Sequence, residues 1–74
     1  MITIASLSIG QKGKIKDFPV DELPLKLLEM GCLPENEVEL LQKAPFDDPL
    51  YLKINGSYVS IRKEMAKKIE IELL

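Results

Sequence analysis

From Leu50 to Ile54 apolar and polar side chains alternate, the chain reaches Asn55-Gly56, and alternation resumes from Ser57 to Ile61. A two-residue Asn-Gly loop is a strong hairpin signal, because a type I′ turn needs positive φ twice and both residues tolerate it. With that loop, Ile54 faces Ser57, Lys53 faces Tyr58, Leu52 faces Val59, Tyr51 faces Ser60 and Leu50 faces Ile61. Side chains alternate faces along a strand. Leu50, Leu52, Val59 and Ile61 therefore share one face, and Tyr51, Lys53, Tyr58 and Ser60 share the other. A slip of one residue would destroy the match.

Met1 to Ser8 reads as a lead-in that Leu7 and Ile9 pin to the core. Gly10 to Gly13 reads as a turn, and Lys14 to Phe18 as a first strand stopped by Pro19. Asp21 is the expected helix N-cap, with Glu22 in the first turn, where a negative charge suits the helix dipole. Leu23, Leu27 and Met30 then share a face, and Gly31 is the natural stop, with Pro34 beyond it. Leu25 and Leu28 lie off that face, either in a wide core stripe or along a groove. Glu37 to Ala44 reads as a strand with Val38 and Leu40 inward. Leu41 breaks the alternation and predicts a bulge or a switch to a second sheet. Phe46-Asp47-Asp48-Pro49 makes a tight connection, Lys63 to Lys67 one helical turn, and Ile69, Ile71 and Leu73 a last inward-facing strand. The expected fold is mainly β. It is a small SH3-like five-stranded barrel with one short α-helix after the first strand and a helical turn before the last, in one domain spanning residues 1–74.

Hydrophobic content of 46% suits a globular chain, and aromatic content of 5% leaves the core aliphatic. The N-terminus has neither a basic region nor a long apolar run, so no signal peptide is expected. No apolar stretch is long enough to cross a membrane as a helix. Cys32 stands alone, which fits a thiol-reducing compartment. The net charge of −2 disfavours nucleic acid. The segment from Asp17 to Asp48 is acidic, relieved only by Lys26 and Lys43, and the rest of the chain is basic; such poles would orient a partner.

Candidate chemistry is sparse. There is no histidine, so a Ser-His or Cys-His pair is excluded. The Gly10 and Gly13 pair lacks the Gly-Lys-Ser/Thr and the following helix of a phosphate loop. Asp47 and Asp48 fall short of the oxygen count a calcium ion wants and read better as turn residues. Cys32 reads as a small buried side chain or a reactive thiol. Tyr51 and Tyr58, with Arg62 nearby, would stack single-stranded nucleic acid or pack against each other across strands.

Read in order, Leu7, Gly10, Gly13 with Ile15, Leu27-Leu28-Glu29-Met30-Gly31, Pro34, Val38, the run from Ala44 to Pro49, Gly56, Ser60-Ile61-Arg62-Lys63, Ala66 and Ile69 span almost the whole chain. This order resembles the FeoA family (ferrous iron transport protein A), a family with an SH3-like fold. The family usually carries arginine where Lys26 stands, and lysine has no bidentate fork. It usually carries glycine where Glu35 stands, so a different loop conformation is expected there. The resemblance implies a small cytoplasmic accessory protein of ferrous iron uptake, recruited to the inner face of the membrane. It would bind and regulate the cytoplasmic part of a membrane ferrous iron transporter with a G-protein domain.

That reading expects no catalysis, no cofactor, no resident metal, no nucleic acid and no membrane insertion, and leaves weak self-association open. The surface expected to meet the partner is the apolar one of the helix and its following loop: Leu25, Leu28, Met30, Cys32 and Leu33. The alternatives are an RNA- or ribosome-associated module using Tyr51, Tyr58 and Arg62, and weak direct metal binding by Asp47, Asp48 or Cys32.

Overall fold

Two strands, β3 (Leu50–Ile54) and β4 (Ser57–Ile61), form the hairpin in the register the alternation predicts, from Leu50 opposite Ile61 to Ile54 opposite Ser57. Asn55 and Gly56 carry φ of 49° and 85°, the pair of left-handed residues a type I′ turn requires. Leu50, Leu52, Ile54, Val59 and Ile61 are buried. The structure, a computed structural model, describes residues 2–17, 21 and 23–74, without the side chain of Asp47. The expected strand end at Phe18-Pro19 and the first-turn role of Glu22 fall outside those residues.

β1 (Lys12–Ile15) and β2 (Glu37–Lys43) pair antiparallel, β2 pairs β3, and β5 (Ile71–Leu73) closes onto β1. The result is one five-stranded antiparallel sheet of order β4-β3-β2-β1-β5. Its inner face encloses the core: Ile4, Ile15, Val38, Leu40, Ile54 and Ile69 are fully buried. The register shift between Leu40 and Gln42 confirms the bulge at Leu41; both sides of it stay in the same sheet.

Several expectations change. β1 begins at Lys12 and ends at Ile15, because Gly13 is a paired strand residue rather than part of the turn. A Cβ at Gly13 would come within 2.7 Å of Ile71 Cδ1 and 3.2 Å of the Glu72 carbonyl oxygen, so any side chain there would have to displace Ile71. Ile4, in a 3-10 turn over Ile4–Ser6, joins Leu7 in the core, whereas Ile9 is 63% exposed. Leu73 is likewise exposed, so β5 buries only Ile71.

α1 is a helix of five residues, Leu25–Glu29, with Pro24 at its N-cap; Asp21 does not cap it. A proline there loses nothing, since the N–H groups of the first turn have no intrahelical partner. Gly31 ends the helix at φ 99°, as expected, and a Cβ added there would come within 3.1 Å of Asn55 Cβ, so the helix end passes close to the hairpin tip. Asn36 Nδ2 donates to the Gly31 carbonyl at 2.7 Å and holds this junction. In the loop that follows, Glu35 itself takes the left-handed conformation, φ 78°. Its N–H donates to the Ile15 carbonyl at 2.8 Å, and Ile15 N–H to the Asn36 carbonyl at 2.9 Å, so pairing with β1 dictates the backbone. α2 (Lys63–Ala66) seats Ala66 in the core.

Candidate docking surface

β4 is an outer strand of the sheet, and α1 and α2 stand beside it. Between these three elements runs a groove of about 580 Å³. Its apolar lining comes from Leu27 and Met30 of the α1 region, Val59 and Ile61 of β4, and Met65 of α2. Met30 and Met65 are packed against the core but only partly buried. Methionine is unbranched and polarisable, so a surface built on it adapts to different apolar partners. Lys26, Arg62 and Lys68 line the groove with positive charge against Glu64. Arg62 also reaches Asp48 Oδ2 at 4.0 Å, but both groups are exposed and the pair is worth little. Tyr58, 70% exposed, projects from β4 with Lys53 Nζ 5.8 Å from its ring.

Of the five residues expected to meet a partner, Met30 lines this groove. Leu25 is 68% exposed and Leu33 is exposed, and neither lines it. Leu28 is half-buried against the core. Cys32 is 1% exposed, so it does not reach the surface; burial pushes its thiol from 9.0 up to about 11 and keeps it protonated at neutral pH. Lys26, Ser60, Met65 and Lys68 carry no local signal. They become neighbours only because α1 and α2 flank β4 across the groove, with Lys26 and Ser60 34 residues apart in sequence.

The alternative chemistries fare as follows. Among the described residues, no three His, Cys, Asp or Glu side chains gather to hold a metal. Asp48 Oδ1 instead accepts the Lys63 N–H at 3.1 Å at the start of α2, a turn and capping role. Tyr51 and Tyr58 line one shallow depression on the outer face with Leu41, while Arg62 faces the groove, so the aromatic and basic groups divide between two surfaces. Elsewhere on that outer face Lys12, Glu39 and Lys53 stand side by side across β1, β2 and β3, with opposite charges at neighbouring positions. Among the described residues, no helix is long and apolar enough to cross a membrane.

Known proteins give this geometry its context. A family model described as the FeoA domain matches residues 2–73. A protein of Porphyromonas gingivalis, described as a fusion of Fe(2+) transport protein A with the Fe(2+) transporter FeoB, is 43% identical over 49 residues, which are 66% of this chain and 6% of that protein. The chain thus matches a small part of that relative's length. The solution structure of a FeoA-like protein from Clostridium acetobutylicum superposes with a TM-score of 0.84 at 32% identity, over 99% of this chain and 86% of that one. The crystal structure of Stenotrophomonas maltophilia FeoA with zinc, described as an SH3 domain protein, gives a TM-score of 0.76 at 19% identity, over 97% of this chain and 91% of that one. At that identity the likeness speaks for the fold, which is SH3-like.

Proposed function

The chain belongs to the FeoA domain family, a family of ferrous iron transport, and on that premise we propose that it is a non-catalytic accessory protein that docks on a membrane ferrous iron transporter. The docking site lies on the cytoplasmic part of the transporter, which carries a G-protein domain, and docking regulates transport. The observation that carries this reading is the fusion in the Porphyromonas gingivalis relative, where a segment similar to this chain and the FeoB transporter are one polypeptide. Joining two parts in one chain makes their contact intramolecular and raises its effective concentration, an arrangement suited to parts that work in contact. The mixed apolar and basic groove beside β4 supplies the kind of surface such contact needs.

The test is a pull-down of the purified chain against the transporter's cytoplasmic part and against the full-length transporter in detergent, with and without guanine nucleotide. Saturable binding is expected, stronger in one nucleotide state than the other. Binding of equal strength in every nucleotide state would remove the regulatory half of the proposal. No binding in any condition would remove the whole of it.

A further inference from the structure

The two outer strands of the sheet are guarded differently. β5 is three residues long, carries Glu72 and has its outward side taken up by the N-terminal segment, since Ile71 N–H donates to the Ile2 carbonyl at 2.9 Å and Thr3 bridges Glu70. Short length and charge are the usual protections of a sheet edge against pairing with another chain. β4 has five residues, Ser57-Tyr58-Val59-Ser60-Ile61, with no charge, no proline and no bulge. In a hairpin with a two-residue loop the residues flanking the loop exchange hydrogen bonds, and bonded and non-bonded pairs then alternate. Ser57, Val59 and Ile61 therefore direct their backbone groups to β3, and Tyr58 and Ser60 direct theirs outward. Among the described residues, no turn, loop or cap hydrogen bond uses the Tyr58 or Ser60 backbone.

The groove runs along this same open edge. We infer that β4 receives an extended segment of the partner, added as a sixth strand, with apolar and acidic side chains alternating along it. Backbone bonds to Tyr58 and Ser60 hold the segment, and alternate side chains read the groove, the division of labour of strand addition. Apolar side chains of the segment enter between Met30 and Met65, and its acidic side chains reach Lys26, Arg62 and Lys68 along the same groove, whose positive charge exceeds that of Glu64 although the chain as a whole is −2. Five residues of strand cover about 17 Å, a span that a segment of five to seven residues fills. The inference deepens the docking proposal and rests on it.

The probe is a capped seven-residue peptide, acetyl-Asp-Leu-Glu-Val-Glu-Leu-Asp-amide, titrated into the isotope-labelled full chain and followed by NMR. Saturable shifts are expected at residues 58–62, with slowed hydrogen exchange at the Tyr58 and Ser60 amides. N-methylating the peptide bonds that face β4, or replacing its acids with lysine, should each weaken binding about tenfold or more. Ser60→Pro removes one outward N–H and leaves the pairing with β3 intact, because an edge strand tolerates proline at an outward position; it should weaken binding to a similar degree. If that variant does not fold, the N-methylated peptide decides the question alone. Equal binding of the methylated peptide, or shifts away from β4, overturns the inference. So does a uridine oligonucleotide that displaces the peptide from the same residues with higher affinity. A transporter that captures wild type and Ser60→Pro alike would leave the docking proposal standing and remove the strand.

Discussion

The turn between β3 and β4 and the connection between β2 and β3 both reverse the chain between paired strands, and both need left-handed residues. At the first, Asn55 and Gly56 stand where φ is 49° and 85°, a conformation made cheap by the short polar side chain of Asn55 and the missing Cβ of Gly56. At the second, a 3-10 turn over Pro45–Asp47 puts Phe46 at φ 65° with its ring 98% exposed. A bulky residue in that region costs about 1–2 kcal/mol, and this ring recovers nothing by burial. The first turn is made by its own residues. The second is imposed from outside: Ala44 N–H donates to the Pro49 carbonyl at 3.0 Å, Lys43 pairs with Leu50, and Asp48 is anchored on the Lys63 N–H.

The contrast can be broken most severely through the strands. Leu52→Ala empties a fully buried site on the core face and should cost about 2–5 kcal/mol in urea unfolding. A smaller loss there would mean that the turn, rather than burial, holds the hairpin. Gly56→Ala comes next, at about 1–2 kcal/mol, since space is open around it and only the backbone conformation objects. Asp48→Ala removes the external anchor of the other connection together with the carboxylate at the start of α2, and should cost about 1 kcal/mol. The same substitution should broaden the amide signals of residues 44 and 46–48 and leave those of Asn55 and Gly56 sharp.

The smallest effect has the opposite sign. Phe46→Gly should raise stability by about 0.5 kcal/mol, because relief of the left-handed cost exceeds the entropy that glycine adds to the unfolded chain. Glu35→Gly, at φ 78°, should behave alike, less the weak contact of Glu35 Oε2 with Lys14 Nζ at 3.7 Å. Destabilisation by both substitutions would show that these two residues are not under strain. Phe46→Gly that gains stability but loses capture by the transporter would place the exposed ring in the docking contact.

The features legible in the residue order are mostly local. Period-two alternation and Asn55-Gly56 specify the hairpin, its register and its buried face. Leu41 announces the bulge, Gly31 the helix stop, and the order of short strands the SH3-like class. These features rest on interactions between neighbours in the chain, which the residues themselves state. Tertiary structure decided the rest. Pairing with Val38 and Leu73 on its two sides makes Gly13 a strand residue, and pairing with β1 bends Glu35 into a conformation its side chain disfavours. Packing buries Cys32, exposes Leu25 and leaves Met30 as the one expected contact residue in the groove. The groove itself has no local signature, because its walls come from α1, β4 and α2. Apolar residues such as Met30 and Met65 look alike in sequence whether they fill a core or line its open margin, and only the packing of distant segments separates the two.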